Sequence, residues 1–411
     1  MKRRTVIVSL LLLFFGAAPT WAAAPAAQAA LQQVLSQAVD RNDTPGVVGL
    51  VVDRQGVLFA GAAGKLDVAQ KAPLPVDAIF NIASMTKPVT SVAIMMLLEQ
   101  GKLSLEDPVS KYLPGFDNPQ VMTRFNEADG TYETRPAKRP ITLCNLLTHT
   151  SGIAYGFTSP ALARLMKDSE KSEWEFPLQH DPGEKWTYGA STRVLGLVVE
   201  KITGQTLEAF YQEHIFRPLG MIDTSYAVPA DKLPRLIKTY THADGTFKEQ
   251  QPGRPIPTTP TPPFRGDGGL YSTASDYGKF MRMLLNGGRL GNVRILSAKS
   301  VRLMGENQIG PVFVSRQTIG LPALSKPFPL GAGQDKFGLG FQLTSAGPET
   351  ATYRRAGSMS WAGLFNTEFW IDPHTGIAGV LLMQYLPFYD DSAIHTLREF
   401  EAAVYKDLAP R

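Results

Sequence analysis

Cysteine is almost missing from this 411-residue chain. Cys144 stands alone, so no internal disulfide can form and the fold must rest on burial. Histidine is sparse: there are six, and none are paired at metal-ligand spacing. No His-Glu-x-x-His occurs, so metal-dependent hydrolysis has no support and neither metal nor cofactor is expected. No Gly-x-Ser-x-Gly occurs, which speaks against an α/β-hydrolase elbow. Neither sign of charge is in large excess, with 41 Lys and Arg against 37 Asp and Glu. Nucleic acid and anionic membrane are therefore not expected partners. Internal repeats are also absent.

Only one long apolar run exists, at the start. Lys2, Arg3 and Arg4 precede an apolar core over residues 5–17, and Ala22-Ala23-Ala24 follows. This reads as an export signal, residues 1–22, cut after Ala22 or Ala23. The run is shorter than the roughly 20 residues a membrane span needs, so no stable anchor is expected. No cysteine follows it to carry lipid. The expected location is periplasmic or secreted. Without the three leading basic residues, Lys and Arg fall from 41 to 38 against 37 acids, a formal +1.

What remains is too long for one compact core, which predicts two connected lobes. Leu31, Val34, Leu35 and Ala38 follow a helical period, and turn formers at 42–46 stop it. Strand patterns at 47–52 and 57–63 flank the turn Asp53-Arg54-Gln55-Gly56. Strand patterns return at 337–343, 364–371 and 377–384, before a closing helix over 392–404. The reading is α+β: an antiparallel sheet lobe with flanking helices, built from residues 23–80 and 265–411. A mainly helical lobe, 81–264, is inserted. In it, 103–114 reads as a short capped helix, 118–140 as an irregular surface loop and 252–263 as an extended proline-rich crossing. Thr273 with Asp276 makes a capping box for a helix through Leu285.

The stretch Ser84-Met85-Thr86-Lys87 opens one of the predicted helices. Val89, Val92, Ala93, Met96 and Leu97 keep its period, Pro88 sits in its first turn, and Gly101 stands at its stop. A spacing of three puts Ser84 and Lys87 on one face. A serine hydroxyl is a weak nucleophile without a nearby base, which Lys87 is placed to supply. The helix N-terminus favours negative charge developing on a substrate. Tyr188 lies just before a second helix, in Trp186-Thr187-Tyr188-Gly189-Ala190. A phenol beside a cation is a candidate general base, although an isolated tyrosine there would read as packing.

These residues carry a resemblance. Ser84-Met85-Thr86-Lys87 resembles the Ser-x-x-Lys box of serine β-lactamases and penicillin-binding proteins. Leu146-Leu147-Thr148-His149-Thr150-Ser151-Gly152, the stretch 186–196, and Gly268-Gly269-Leu270-Tyr271-Ser272-Thr273-Ala274 are similar to the class C β-lactamase superfamily. That superfamily includes D-stereospecific peptidases and family VIII carboxylesterases. The boxes fall in the family's order over nearly the whole chain after the leader. The resemblance implies a β-lactamase/transpeptidase-like fold, with the site between the lobes and an acyl-enzyme on Ser84. Lys87 and Tyr188 would share the proton traffic, and spacing does not assign the base between them. The backbone N–H groups of Ser84 and Leu364 would form the oxyanion hole.

Two departures narrow the substrate. The family's Tyr-x-Asn is here Tyr188-Gly189-Ala190, without the amide. The family's Lys-Thr-Gly is best matched by Trp361-Ala362-Gly363, similar to the Trp-Gly-Gly of family VIII esterases. Ala190, Trp361, Ala362 and Gly363 are accordingly the expected substrate contacts. His374-Thr375-Gly376 spells the third box but follows Asp372-Pro373, and reads as a hairpin turn at the far end of the strand. His149 reads as bracing the turn after its helix rather than as a catalytic histidine. Arg193, Arg354 and Arg355 are candidates for an anionic substrate, with surface ion pairs as their default role.

The leading expectation is an exported carboxylesterase for small acyl esters. The alternatives are a D-stereospecific peptidase, penicillin-binding protein or β-lactamase acting on wall peptides or lactams, an acyltransferase, or a ligand-binding protein on an inactive fold.

Overall fold

The computed structural model describes residues 24–345, except 252 and 254, and residues 353–409. The expected export signal lies outside the described residues. Eight strands form the main sheet. They are β1 (Gly46–Asp53), β2 (Val57–Asp67), β3 (Ala72–Pro73), β4 (Lys336–Phe337), β5 (Gln342–Leu343), β6 (Met359–Gly363), β7 (Thr367–Asp372) and β8 (Ile377–Leu382). Their spatial order is β4-β5-β6-β7-β8-β1-β2-β3, antiparallel throughout. The sheet is built from both ends of the chain, as the sequence predicts.

The central strands read as continuous apolar runs because helices cover both faces. Residues 46–52 of β1 are all buried, as are β7 and β8. The turn after β1 is held by Asp53 Oδ1, which accepts from Gln55 N and Gly56 N at 2.7 Å each. Helices α1 (Pro25–Asp40) and α6 (Asp391–Asp407) cover one face through Leu31, Leu35, Leu397, Phe400 and Val404. Gly49 lets Phe400 rest directly on β1. Helix α5 (Ala274–Leu285) covers the other face, where Gly278 admits Leu50. Its N-cap is Thr273, which accepts from Asp276 N at 3.1 Å. Asp276 itself accepts from Asp223 N and Thr224 Oγ1.

Helix α2 (Thr86–Glu99) runs through the middle of the molecule, against α4 (Ser191–Thr203). It is buried nearly all round rather than along one stripe, as suits a central helix. The short α3 (Leu143–Leu147) starts at Thr142, whose capping box with Asn145 satisfies both partners.

The inserted region departs from expectation in three places. Residues 118–140 form a hairpin, Gln120–Phe125 with Tyr132–Pro136, not an irregular loop. Most of its side chains are at least partly exposed on both faces, so no apolar alternation marks it. A second hairpin, Tyr240–Ala243 with Thr246–Glu249, pairs in parallel with Tyr385–Leu386. The expected helix at 103–114 is only a 3-10 turn, Val109–Lys111, between Pro108 and Pro114. In the sheet lobe, the strand expected over 364–371 begins at Thr367. Residues 364–366 form the turn after β6, with Asn366 at φ 61°. No helix among the described residues is long and apolar enough to cross a membrane.

Candidate functional site

Ser84 lies in a 3-10 turn, Ala83–Met85, that runs straight into α2. The residue before it is strained: Ala83 has φ 43°, a left-handed backbone that alanine disfavours. Asn81 Oδ1 steadies the turn by accepting from Ala83 N at 3.0 Å. Phe80–Asn81 pairs with Tyr271–Ser272, and Ile82 N donates to Leu270 O at 3.0 Å. These bonds bring the loop 265–270 beside Ser84.

Two side chains converge on the Ser84 oxygen. Lys87 Nζ reaches Ser84 Oγ at 3.0 Å, and the Tyr188 hydroxyl donates to the same atom at 2.8 Å. Lys87 also donates to the Asp267 carbonyl oxygen at 2.8 Å. Burial pulls Lys87 down to about 7, with the neighbouring Asp267 acting against the fall. Burial pushes the Tyr188 phenol above its ordinary value, with its hydrogen bond to the Ser84 hydroxyl partly offsetting the rise. Near neutrality the amine is poised to accept a proton, and the phenol holds one.

Asp267 anchors this arrangement. Its carboxylate accepts from Tyr155 Oη at 2.5 Å, Arg193 Nε at 3.1 Å, and Arg265 Nε and Nη2 at 3.1 and 3.2 Å. Burial would raise Asp267, but Arg265, Lys87 and Arg193 hold it well below the usual carboxylate range. Arg193 also pairs with Glu173 at 2.9 Å.

Tyr188 is gripped from all sides. Its N–H donates to Gln317 Oε1 at 3.0 Å. Its ring packs 5.0 Å from both His149 and Trp361 and 5.3 Å from Tyr155, measured between centroids. Gly189 is needed beside it, because a Cβ there would enter the Ile153 carbonyl. His149 is buried, with φ 55°, and its carbonyl accepts from Thr187 N at 2.8 Å. That bond ties the turn after α3 to the segment carrying Tyr188. Burial drives the His149 ring well below its ordinary value. Trp361 Nε1 has no hydrogen-bond partner among the described residues.

Ser84 and Leu364 line one cleft of about 350 Å³, with Tyr155, Phe157, Arg265 and Phe365 among its walls. Neither Ser84 N nor Leu364 N is taken by an acceptor among the described residues. Gly363 lets β6 approach the Ser84 turn, since a Cβ would meet the Ile82 carbonyl and Thr367 Oγ1. Trp361 and Ala362 line a second, small cavity of about 30 Å³ beside Glu368 and Arg354. Ala190 is buried at the start of α4 and does not line the Ser84 cleft. His374 lies in the turn between β7 and β8, where Asp372 Oδ1 accepts from His374 N. It stands at the opposite end of β7 from Gly363. Arg354 is buried and pairs with Glu401, while Arg355 N donates to Asp372 Oδ2 at 3.4 Å.

Sequence reasoning missed Tyr155, Arg265, Asp267 and Gln317. The break at Gly266-Asp267-Gly268-Gly269 was the one available signal, since a loop free of side-chain bulk can press against α2. The Gly266 carbonyl indeed accepts from Thr90 Oγ1 of α2, and Gly266 packs on Gly196 of α4. Among the described residues, no group of three or more His, Cys, Asp or Glu is placed to hold a metal ion.

The family model described as Beta-lactamase matches residues 31–404. Monacolin J acid methylbutanoyltransferase of Aspergillus terreus is 30% identical over 402 residues, covering 91% of this chain and 95% of the relative. Lovastatin esterase of Penicillium rubens is 30% identical over 396 residues, covering 90% and 96%. The solved structure of simvastatin synthase (LovD) from Aspergillus terreus superposes with a TM-score of 0.79 at 27% identity, covering 94% of this chain and 99% of that one. A match across nearly the whole chain, on a mixed fold with this antiparallel sheet, places the protein in the beta-lactamase family, as a serine hydrolase of the acyl-enzyme type.

Proposed function

We propose that the protein is an exported carboxylesterase that acts on small acyl esters through an acyl-enzyme on Ser84. The observation that carries this reading is Ser84 Oγ held between Lys87 and Tyr188, at 3.0 and 2.8 Å. Lys87 is the better base: its amine is brought near neutrality, while the buried phenol keeps its proton. Lys87 takes the Ser84 proton as Oγ attacks the ester carbonyl. Ser84 N and Leu364 N then receive the negative charge on the carbonyl oxygen. When the C–O bond breaks, Tyr188 gives its proton to the leaving alkoxide and recovers one from Lys87. Water repeats the sequence on the acyl-enzyme and returns Ser84.

The family boxes as they stand in this chain, rather than the walls of the cleft, favour an ester over a lactam or a peptide amide. The third-box position offers the Trp361 indole rather than a cation, and Ala190 supplies no amide. Acyl transfer to an alcohol is the second reading, favoured by the methylbutanoyltransferase among the relatives. In that case an alcohol enters where water would. The leader-like residues 1–22 support export.

Intact-mass spectrometry with 4-nitrophenyl butyrate, and separately with a penicillin, tests the reading in wild type and Ser84→Ala. The expected result is a transient butyryl adduct on wild type alone, with rapid nitrophenol release. A lasting penicilloyl adduct without ester turnover would favour a penicillin-recognising peptidase. No adduct from either reagent would favour a binding protein. Adding a small alcohol and weighing ester product against free acid separates transfer from hydrolysis. Cell fractionation followed by N-terminal mass analysis tests export, with a start at Ala23 or Ala24 expected.

A further inference from the structure

We propose that Arg265 makes the Ser84 cleft selective for esters that carry a second, free carboxylate. The inference rests on the esterase reading and names its substrate class.

The cleft holds a network of fixed charges with one exposed pole. Side-chain exposure is 0% for Asp267, 12% for Glu173 and 16% for Arg193, but 53% for Arg265. Both acids are already committed, Glu173 to Arg193 and Asp267 to the two arginines. The charge that meets an entering molecule is therefore the Arg265 cation. Arg265 lines the same cleft as Ser84 and Leu364.

The guanidinium is also aimed. Asp267 takes the edge formed by Nε and Nη2, a two-bond grip that fixes the plane. Nη1 makes no hydrogen bond among the described residues. Two of the five N–H groups are thus used, and the outer fork of Nη1 and Nη2 stays open. That fork matches the two oxygens of a carboxylate. A lone surface arginine would lose side-chain entropy on gripping an anion, and Asp267 has already removed much of that freedom. Phe157 stacks on Tyr155 at 5.1 Å, lines the same cleft and provides an apolar wall for the chain between ester and carboxylate.

Two matched ester pairs test the inference. 4-Nitrophenyl hemiadipate against 4-nitrophenyl hexanoate puts the carboxylate on the acyl half. 4-(Butyryloxy)benzoate against its methyl ester puts it on the alcohol half. In wild type the anionic member of at least one pair should have about tenfold higher kcat/KM, carried by KM and weakened by salt. Arg265→Gln should bring that ratio to about one, and Arg265→Lys should keep part of it. Each ratio is taken within one preparation, so a partly misfolded variant still reports it. A merely structural arginine would lower both members equally, leaving the ratio in place, and that result overturns the inference. So does a wild-type ratio of one or less in both pairs, while neutral esters still turn over and the esterase reading stands. Loss of turnover on all four esters overturns the esterase reading and this inference together.

Discussion

Lys87 Nζ stands 4.8 Å from the centroid of the Tyr188 ring, and each residue reaches Ser84 Oγ by its own hydrogen bond. Burial drives the two in opposite directions, the amine toward losing its proton and the phenol toward keeping it. One desolvated pocket thus drives apart two groups that in water would both be protonated at neutral pH.

The rate should follow the lysine. Lys87 is pulled down to about 7, so kcat/KM for a nitrophenyl ester is expected to rise as pH climbs through that value. Lys87→Arg keeps a cation at every pH and should remove the rising limb, with activity down about a thousandfold. A pH profile from mildly acidic to mildly basic buffer checks this, and a flat profile across neutrality counts against Lys87.

Tyr188→Phe separates attack from departure. Nitrophenolate leaves without help, whereas an alkoxide needs a proton. The variant should lose roughly 10²–10⁴-fold on ethyl butyrate and distinctly less on 4-nitrophenyl butyrate. Equal losses on the two esters would remove the proton-donor role.

Asp267→Asn should act twice. It strips Arg193 and Arg265 of a buried partner, which is expected to cost about 3–5 kcal/mol in urea unfolding. It also removes a charge that holds the Lys87 pKa up, so the rising limb should move to lower pH. An unmoved limb in a folded variant would show that Asp267 acts on Lys87 through its carbonyl alone.

Gly363→Ala tests the seam between β6 and the Ser84 turn. The added methyl has no room beside the Ile82 carbonyl and Thr367 Oγ1. A loss of about 1–3 kcal/mol is expected, with a larger fall in kcat than in substrate affinity. Thermal unfolding and steady-state kinetics read the two effects.

Glu368 predicts a pH dependence of stability. Burial raises its carboxyl to about 8, against the pull of Arg354. Between its ordinary value of 4.5 and about 8, the native state keeps a proton that the unfolded chain releases. Its contribution to stability therefore falls as pH rises through that window. Glu368→Gln should flatten the fall, gaining on wild type by up to about 5 kcal/mol between the two ends. Urea unfolding across the window checks the slope.

The parts of the site legible in the sequence are those encoded locally. Ser84 and Lys87 sit one turn apart, and Tyr188 stands just before a helix start. Asp267 was not legible as a partner, because its contacts reach back 180 residues to Lys87, 112 to Tyr155 and 74 to Arg193. Arg265 was hidden although its partner Asp267 is only two residues on, because nothing local shows that the pair stands beside Ser84. The central strands were legible because covered faces demand unbroken apolar runs. The hairpin at Gln120–Phe125 was not, since partly exposed side chains on both faces leave pairing to the backbone alone. The turn at 364–366 was missed because Leu364 and Phe365 look like strand residues, yet they line the cleft.

The order of the strands has a bearing on synthesis. β1 finds β2 as soon as the ribosome releases it, but its other edge belongs to β8, Ile377–Leu382. A nascent chain must carry that apolar edge uncapped until nearly everything else has emerged. Premature stops ahead of residue 377 would leave it open for good, ready to pair with another chain. The last strand of the sheet to be made is thus the one that shields its first.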